Sequence, residues 1–210
     1  MTNLKKKDLQ FTLETIKRPA KLERPMLGVG GCGMVELVQH KSDPSVLCAM
    51  KTIPLKKDVK LFRVMDEIRL HKSVSHPNII RVLGSQFRDN QAIIFLEYAS
   101  KRDLFSILHN VDGRQPSLAF KQKIKIFIEC LKVTNHLHQR GIIHRDIKLE
   151  NILFDGNFSV KLCDFGWAVE ASNPRRRKSL SGTVEYMSPE IFQGQYQTPK
   201  VDVWALGKAS

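Results

Sequence analysis

His144-Arg145-Asp146-Ile147-Lys148-Leu149-Glu150-Asn151 is the stretch from which the rest of this chain is read. It holds a carboxylate, an ammonium and a carboxamide at short, fixed offsets. Asp146 can take a proton from a hydroxyl. Lys148 can neutralise charge on a phosphoryl group in transfer. Asn151 can offer its side-chain oxygen to a magnesium ion. Phosphoryl transfer asks little covalent chemistry of a protein, so positioning and charge stabilisation supply most of the catalysis. The string follows a helix-like run and precedes an apolar hairpin, so it reads as a loop held between rigid elements. A surface ion-pair cluster would account for an isolated Asp or Lys. It does not account for this whole string followed by Asp164-Phe165-Gly166.

Those two strings resemble the catalytic loop and metal-binding turn of the protein kinase family. Leu149 stands where most serine/threonine kinases have proline, a change that alters loop stiffness and removes no catalytic group. Between the strings, Ile152-Leu153-Phe154 and Val160-Lys161-Leu162 flank the turn Asp155-Gly156-Asn157. The resulting hairpin brings Asp164 back beside Asn151. A carboxylate and an amide next to phosphate oxygens suit Mg²⁺, which binds few protein oxygens. Cys163 reads as a small buried residue.

Upstream lies Gly28-Val29-Gly30-Gly31-Cys32-Gly33-Met34-Val35. Alone, such a glycine pattern also fits a dinucleotide fold, where it would open a long helix. Here a short valine-rich run follows, closed by the turn cluster Ser42-Asp43-Pro44-Ser45, so a hairpin is predicted. Its glycines let the backbone approach phosphates. A third strand, about 46–53, contains Ala49 and Lys51. A lysine within an apolar strand is costly unless paired. The helix predicted over 59–74 carries Leu61, Val64, Met65, Ile68 and Leu70 near helical period, and Glu67 beside that stripe is the partner that Lys51 needs. Strands over 79–87 and 92–97 complete a small sheet.

By resemblance, Lys51 holds the α- and β-phosphates of ATP and Glu67 orients it. Gly28, Val29, Gly30, Gly31, Cys32 and Gly33 cover the phosphates. Val35 meets the adenine ring, Leu96 stands beside its pocket, the backbone of Glu97 and Ala99 reads its edge, and Ala49 and Leu153 also belong to the ATP site. Asp146 is the base, Lys148 stabilises the transferring group, and Asn151 and Asp164 hold Mg²⁺. Ser188-Pro189-Glu190 stands for the family's Ala-Pro-Glu, and Lys148 with Gly182-Thr183 indicates the serine/threonine type. Trp167 after Asp164-Phe165-Gly166, the run Arg175-Arg176-Arg177-Lys178-Ser179 and Leu96-Glu97-Tyr98-Ala99 resemble the Aurora kinase family. That likeness makes Ser179 a regulatory phosphosite with Arg145 as its partner. It also implies an activating partner on the small lobe and a place in the nucleus or on the spindle or centrosome.

The fold expected is α+β and two-lobed. Residues 1–21 form a basic N-terminal extension, from which Phe11 and Leu13 dock on the body. Residues 22–97 form a lobe of antiparallel sheet plus helix. Residues 98–210 form an incomplete, mostly helical lobe. There, Ser117 caps a helix carrying Phe120, Ile124, Phe127, Ile128 and Leu131 on one face and ending at Gly141. The chain stops a few residues into the helix that opens near Asp202, whose carboxylate braces the catalytic loop. Val201, Val203, Trp204 and Leu206 are therefore expected to lack cover. A piece of a longer kinase, unstable and weakly active alone, is the expectation.

Bulk properties fit an ordinary globular chain of 210 residues, 42% hydrophobic and 26% charged. The net charge of +13 is spread along the chain, apart from Lys5-Lys6-Lys7 and the run at 175–178, which argues for phosphate handling over direct nucleic-acid binding. No apolar run has the length of a membrane span. Four scattered cysteines suggest a reducing compartment and no structural zinc. His136 and His138 do not share a helix face and read as solvated. Two further classes stay open: a nucleotide-binding scaffold without turnover, and a small-molecule kinase. Protein substrates, with basic residues before the Ser or Thr, fit the closure of a long activation segment best.

Overall fold

The structure is a computed structural model that describes residues 9–19, 26–30, 33–55, 58–111, 118–174 and 176–209. The elements in order are β1 (Ile16–Lys17), β2 (Met26–Gly30), β3 (Gly33–His40), β4 (Leu47–Pro54), α1 (Asp58–Ser73), β5 (Val82–Arg88), β6 (Gln91–Glu97), α2 (Leu104–Leu108), α3 (Phe120–Gln139), β7 (Ile142–Ile143), β8 (Ile152–Phe154), β9 (Val160–Leu162), β10 (Val169–Glu170), α4 (Pro189–Phe192) and α5 (Lys200–Lys208). The chain divides into a small unit, Met1–Lys72 with Arg81–Tyr98, and a large unit, Ser73–Ile80 with Ala99–Ser210.

In the small unit the strands form one antiparallel sheet, β1-β3-β4-β6-β5, with β2 also paired to β3. Strand alternation gives the sheet two different faces. Val38, Cys48, Met50, Ile93 and Phe95 lie on one, covered by Phe11 and Ile16 with Leu9 and Leu13 beside them. Ile53, Leu55, Ala92 and Ile94 lie on the other, against Val64 and Ile68 of α1. Each buried Val, Leu, Ile, Phe or Met among them contributes roughly 1.5–3 kcal/mol. Ala49 and Lys51 share the α1 face because they precede Ile53 at steps of two. Met65, expected on the buried stripe of α1, is instead exposed. It follows Val64 by one residue, about 100° around the helix, and turns away from the sheet.

The large unit is built on α3. Its buried side chains are Ile126, Cys130, Val133, Thr134 and Leu137. The predicted stripe is the wrong one: Phe120 is 79% exposed, and Ile124, Ile128 and Leu131 are exposed as well. The two stripes have the same spacing and lie roughly 120° apart around the helix. Ser117 and the loop residues Asp112, Gly113 and Pro116 lie outside the described residues. Ala119 is the N-cap, its N–H donating to Gln122 Oε1 at 2.9 Å. Gly141, at φ +67°, follows the C-cap as expected. Ile126 and Cys130 join Leu104, Ile147, Phe154 and Leu206 in one core, and Val201 joins Ile143, Val169 and Ile191 in another. Val201 and Leu206 are thus covered, against expectation, while Val203 and Trp204 are exposed. No helix among the described residues is long and apolar enough to cross a membrane. Burial pushes the Cys48 and Cys130 thiols up to about 12. Cys163, expected to be buried, is partly exposed.

His136 and His138 are not solvated as expected. His138 Nε2 meets Asp202 Oδ2 at 2.8 Å. The His136 ring lies 4.7 Å from that of His76, and Arg140 Nη1 donates to His136 Nδ1 at 3.1 Å. That bond requires neutral His136. Burial first, then neighbouring cations, holds both imidazoles below their usual range; His136 and Arg140 act on His76 most, and Arg140 acts on His136. Groups with depressed folded-state pKa bind more protons when unfolded, so their contribution is present above the ordinary imidazole pKa and lost as pH falls below it. The melting temperature is therefore expected to fall between about pH 7.5 and pH 5.5. His136→Gln should flatten that slope. An unaltered slope in the variant would assign the acid sensitivity elsewhere.

Ser188 precedes α4 and is fully buried, and its hydroxyl has no hydrogen-bond partner among the described residues. Ser188→Ala removes that orphan and is expected to raise unfolding stability by about 1 kcal/mol. A urea melt checks this, and a loss of stability would reveal a partner for the hydroxyl.

Candidate active site

In the small unit, β2 and β3 pair Gly28 with Val35, Val29 with Met34 and Gly30 with Gly33. Gly31 and Cys32 lie outside the described residues. Gly33 sits at φ +124°, and a Cβ there would collide with the Thr52 carbonyl oxygen, so only glycine fits. Among the described residues, nothing crowds Gly28. Lys51 lies opposite Val35 and Ile94, and Ala49 opposite Leu37 and Leu96. The register thereby sets Val35, Ala49, Lys51 and Leu96 on one face. Lys51 Nζ bonds Glu67 Oε1 at 2.7 Å, with both side chains 8% exposed. Such a pair removes two charges from water and keeps them paired. The Glu97 N–H donates to the Arg81 carbonyl at 2.9 Å, and its carboxylate accepts from the Arg81 N–H at 3.2 Å. Ala99 opens the following stretch of the large unit.

In the large unit the loop 144–151 is held from below by Asp202, which has no exposed surface. Its carboxylate accepts the backbone N–H of His144 at 2.9 Å and of Arg145 at 2.7 Å, as well as His138 Nε2. Arg145 is at φ +65°, a conformation that L-residues rarely adopt. Gly182, at φ +95°, lies against the Arg145 carbonyl, where a Cβ would clash. These contacts aim Asp146, which is 4% exposed. Thr183 Oγ1 donates to Asp146 Oδ1 at 2.8 Å, and Asn151 Nδ2 donates to Asp146 Oδ2 at 2.9 Å and to its carbonyl at 2.8 Å. Lys148 Nζ donates to Thr183 Oγ1 at 2.7 Å and lies 3.3 Å from Asp146 Oδ2.

Both acceptors on Asp146 fix the orientation of the Asn151 amide and leave Oδ1 as the oxygen available to a cation. The hairpin β8–β9 returns the chain to this point: Cys163 N–H donates to the Asn151 carbonyl at 3.0 Å, and Asp164 follows at φ +61°. Phe165, fully buried, meets the His144 ring edge-on at 5.0 Å. Leu153 is half-buried on β8, opposite Lys161. No group of three or more His, Cys, Asp or Glu among the described residues could hold a metal. Asn151 and Asp164 carry side-chain oxygens of the kind that Mg²⁺ takes in small numbers beside ligand and water oxygens.

Ser179 lies against Arg145, whose Nη1 donates to its Oγ at 3.1 Å and whose Nε donates to the Trp167 carbonyl at 2.7 Å. The basic run is not wholly a solvated string: Arg177 donates through Nε to the Gln197 carbonyl at 2.8 Å and through Nη1 to the Ala171 carbonyl. Arg175 lies outside the described residues. Thr183, as a partner of both Asp146 and Lys148, was visible in sequence only as part of the string Gly182-Thr183. Gln197, buried beside Arg145, carried no signal.

The family model described as "Protein kinase domain" matches residues 23–209. An Aurora kinase of Eremothecium gossypii is 33% identical over 186 residues, which is 87% of this chain and 49% of that protein. Aurora kinase A-B of Xenopus laevis is 34% identical over 207 residues, 96% of this chain and 47% of that protein. The serine/threonine-protein kinase CLA4 of Candida albicans is 35% identical over 182 residues, 86% of this chain and 18% of that protein. The chain spans about half the length of these two Aurora kinases.

Proposed function

This chain belongs to the protein kinase family, and from that premise we propose that it is an Aurora-like serine/threonine protein kinase. Its reaction moves the γ-phosphoryl group of ATP to serine and threonine hydroxyls of proteins. One observation supports this above all: the set Asp146, Asn151, Lys148 and Thr183, in which one buried carboxylate is oriented by three neighbours. The substrate hydroxyl oxygen bonds to the γ-phosphorus as the bond to the β–γ bridging oxygen breaks. Asp146 takes the hydroxyl proton, ADP leaves, and Lys148 balances charge on the group in transfer.

Lys51, kept in place by Glu67, is assigned to the α- and β-phosphates. Gly28, Val29, Gly30, Gly31, Cys32 and Gly33 are assigned to backbone contact with phosphates, and the lack of any described residue against Gly28 supports this. Val35, Ala49 and Leu96 on the sheet face, and Leu153 on β8, are assigned to the adenine ring, with the backbone of Glu97 and Ala99 at its edge. Asn151 Oδ1 and the Asp164 carboxylate would hold Mg²⁺. That ion supplies charge neutralisation on the phosphates when bound. Residues 22–97 and 98–210 are assigned as the two lobes, with 1–21 as an extension. Proteins with basic residues before the Ser or Thr are the proposed substrates, the small lobe takes an activating partner, and the nucleus, spindle or centrosome is the proposed place of action. Nucleic acid and membrane have no part in this reading.

The chain incubated with Mg-ATP and a degenerate peptide library is expected to label Ser and Thr, preferring peptides with Arg or Lys before them. Mass spectrometry should find phosphate on Ser179, and Ser179→Ala should lower the activated rate about tenfold or more. A nucleotide-dependent thermal shift without any phosphate transfer would make the chain a nucleotide-binding scaffold instead.

A further inference from the structure

We propose that the outer face of the small sheet is a peptide-docking site that the chain fills with its own residues 9–17, and that the seating of this segment holds the Lys51 strand in place for phosphate binding. The second half of this inference rests on the reading of Lys51 as a phosphate-binding residue. The segment is gripped through its backbone. The Leu13 N–H donates to Gln86 Oε1 at 2.8 Å, and the Gln10 carbonyl accepts His40 Nε2 at 3.2 Å. The Lys41 N–H donates to the Thr15 carbonyl at 2.8 Å, and Lys41 Nζ donates to the Glu14 carbonyl at 2.6 Å. Ile16 and Lys17 then pair with His40 and Gln39 as an added antiparallel strand. Main-chain bonds of this kind hold an extended peptide, and pockets for its side chains make the fit specific. Phe11 and Ile16, both buried, supply those side chains over Val38, Cys48, Met50, Ile93 and Phe95. The Phe11 ring meets that of His40 edge-on at 5.3 Å.

The sheet is shaped for this occupant. A Cβ on Gly84 of β5 would stand 2.5 Å from the Phe11 carbonyl oxygen, closer than carbon and oxygen approach without bonding. Phe95 Cδ2, on the sheet itself, would stand at 3.4 Å, so the conflict falls on the segment. Glycine weakens a strand interior, and close approach of another backbone is a reason to keep one there. Cys48 and Met50 lie under the segment. Lys51 leaves the same strand on the opposite face, by alternation, and reaches Glu67 at 2.7 Å. A β4 that lost its cover would carry the Lys51 ammonium with it.

Two variants of the full chain test this. Gly84→Ala puts a methyl group where the segment passes, and Phe11→Ser removes the anchoring ring. Alkylation by iodoacetamide is followed at each cysteine by site-resolved mass spectrometry. Cys48, with no exposed surface, reports unseating of the segment, and Cys130, buried in the large unit, reports global unfolding. Labelling of Cys48 is expected to speed up about tenfold or more in both variants, with Cys130 unchanged. The KM for ATP is expected to rise about fivefold with kcat within about twofold, the mark of weakened binding common to ground and transition states. A merely structural role would lower kcat through loss of folded enzyme and leave KM in place. Unchanged Cys48 labelling overturns the proposal, as does equal acceleration at Cys130, which would make the segment inseparable from the global fold. Faster Cys48 labelling with an unmoved KM would uphold the docked segment and overturn its hold on Lys51. Faster Cys48 labelling in the variants of a chain that, unmutated, transfers no phosphate would uphold the docking and sink the kinase reading.

Discussion

Asp164→Asn is expected to reduce phosphotransfer by about a thousandfold or more while leaving the fold intact. Asp164 sits at φ +61°, a conformation that asparagine tolerates at least as well as aspartate. The side chains have the same shape, and the hairpin that delivers the position is held by β8–β9 pairing and the Cys163 to Asn151 bond. What disappears is one negative charge. If that charge and Asn151 Oδ1 hold the cation that neutralises the phosphates, peptide phosphorylation collapses and the melting temperature moves little. Lys51→Met should be equally silent in transfer for a different reason. It removes the cation from a pair whose side chains are 8% exposed, and breaking such a pair costs about 3–5 kcal/mol. The Lys51 variant should therefore lose stability as well as activity. Robust turnover by either purified variant would overturn the assigned roles.

Asp202→Ala is the second large effect. Its carboxylate, with no exposed surface, receives two consecutive backbone N–H groups and His138. Alanine leaves all three donors without that acceptor, and the loss of stability is expected to be about 3–5 kcal/mol. Arg145 holds its rare φ partly through one of those bonds, so Asp146 should lose its aim. Turnover is expected to fall about a hundredfold even where the variant folds. Asp202→Asn should lie between the two, because an amide offers one acceptor oxygen where the carboxylate offers two. Chemical denaturation with parallel initial rates measures both effects. A stable Asp202→Ala protein with normal kinetics would show that the loop holds its shape unaided.

The strings around Asp146, Asp164 and Lys51 were legible because the chemistry needs particular residue types at short offsets. The strands were legible as short apolar runs closed by turn residues, and the Lys51–Glu67 pair from the cost of an unpaired lysine in an apolar strand. The burial of α3 was not: its two apolar stripes obey the same spacing, and only the packing of α2, β8 and α5 chooses Ile126 and Cys130 over Phe120 and Ile124. His136 and His138 were misread because their partners, His76 and Asp202, lie far along the chain. Periodicity places residues on faces and says nothing of what a face will meet. Val201 and Leu206 were misjudged because each finds cover within the large unit from residues distant in sequence, Leu206 among those of α2 and α3 and Val201 among Ile143, Val169 and Ile191. Gln197 was invisible for the same reason: its side chain bonds Arg145 and the Ser179 carbonyl, both distant in sequence.

One feature of the chain's path bears on how it is made. Residues 73–80 interrupt the small unit yet belong to the large one. Asn78 Nδ2 donates to the Val160 carbonyl, 82 positions later, and the Leu162 N–H donates to the Asn78 carbonyl. Synthesis runs from the N-terminus, so β5 and β6 can close the small sheet long before β9 leaves the ribosome. The strap at 73–80 must wait, unpaired, through that interval. A chaperone that recognises nascent chains would find its binding window there, and it would shut when the hairpin β8–β9 arrives. The small unit is therefore finished first in birth order, and the anchoring of its inserted strap is among the later events.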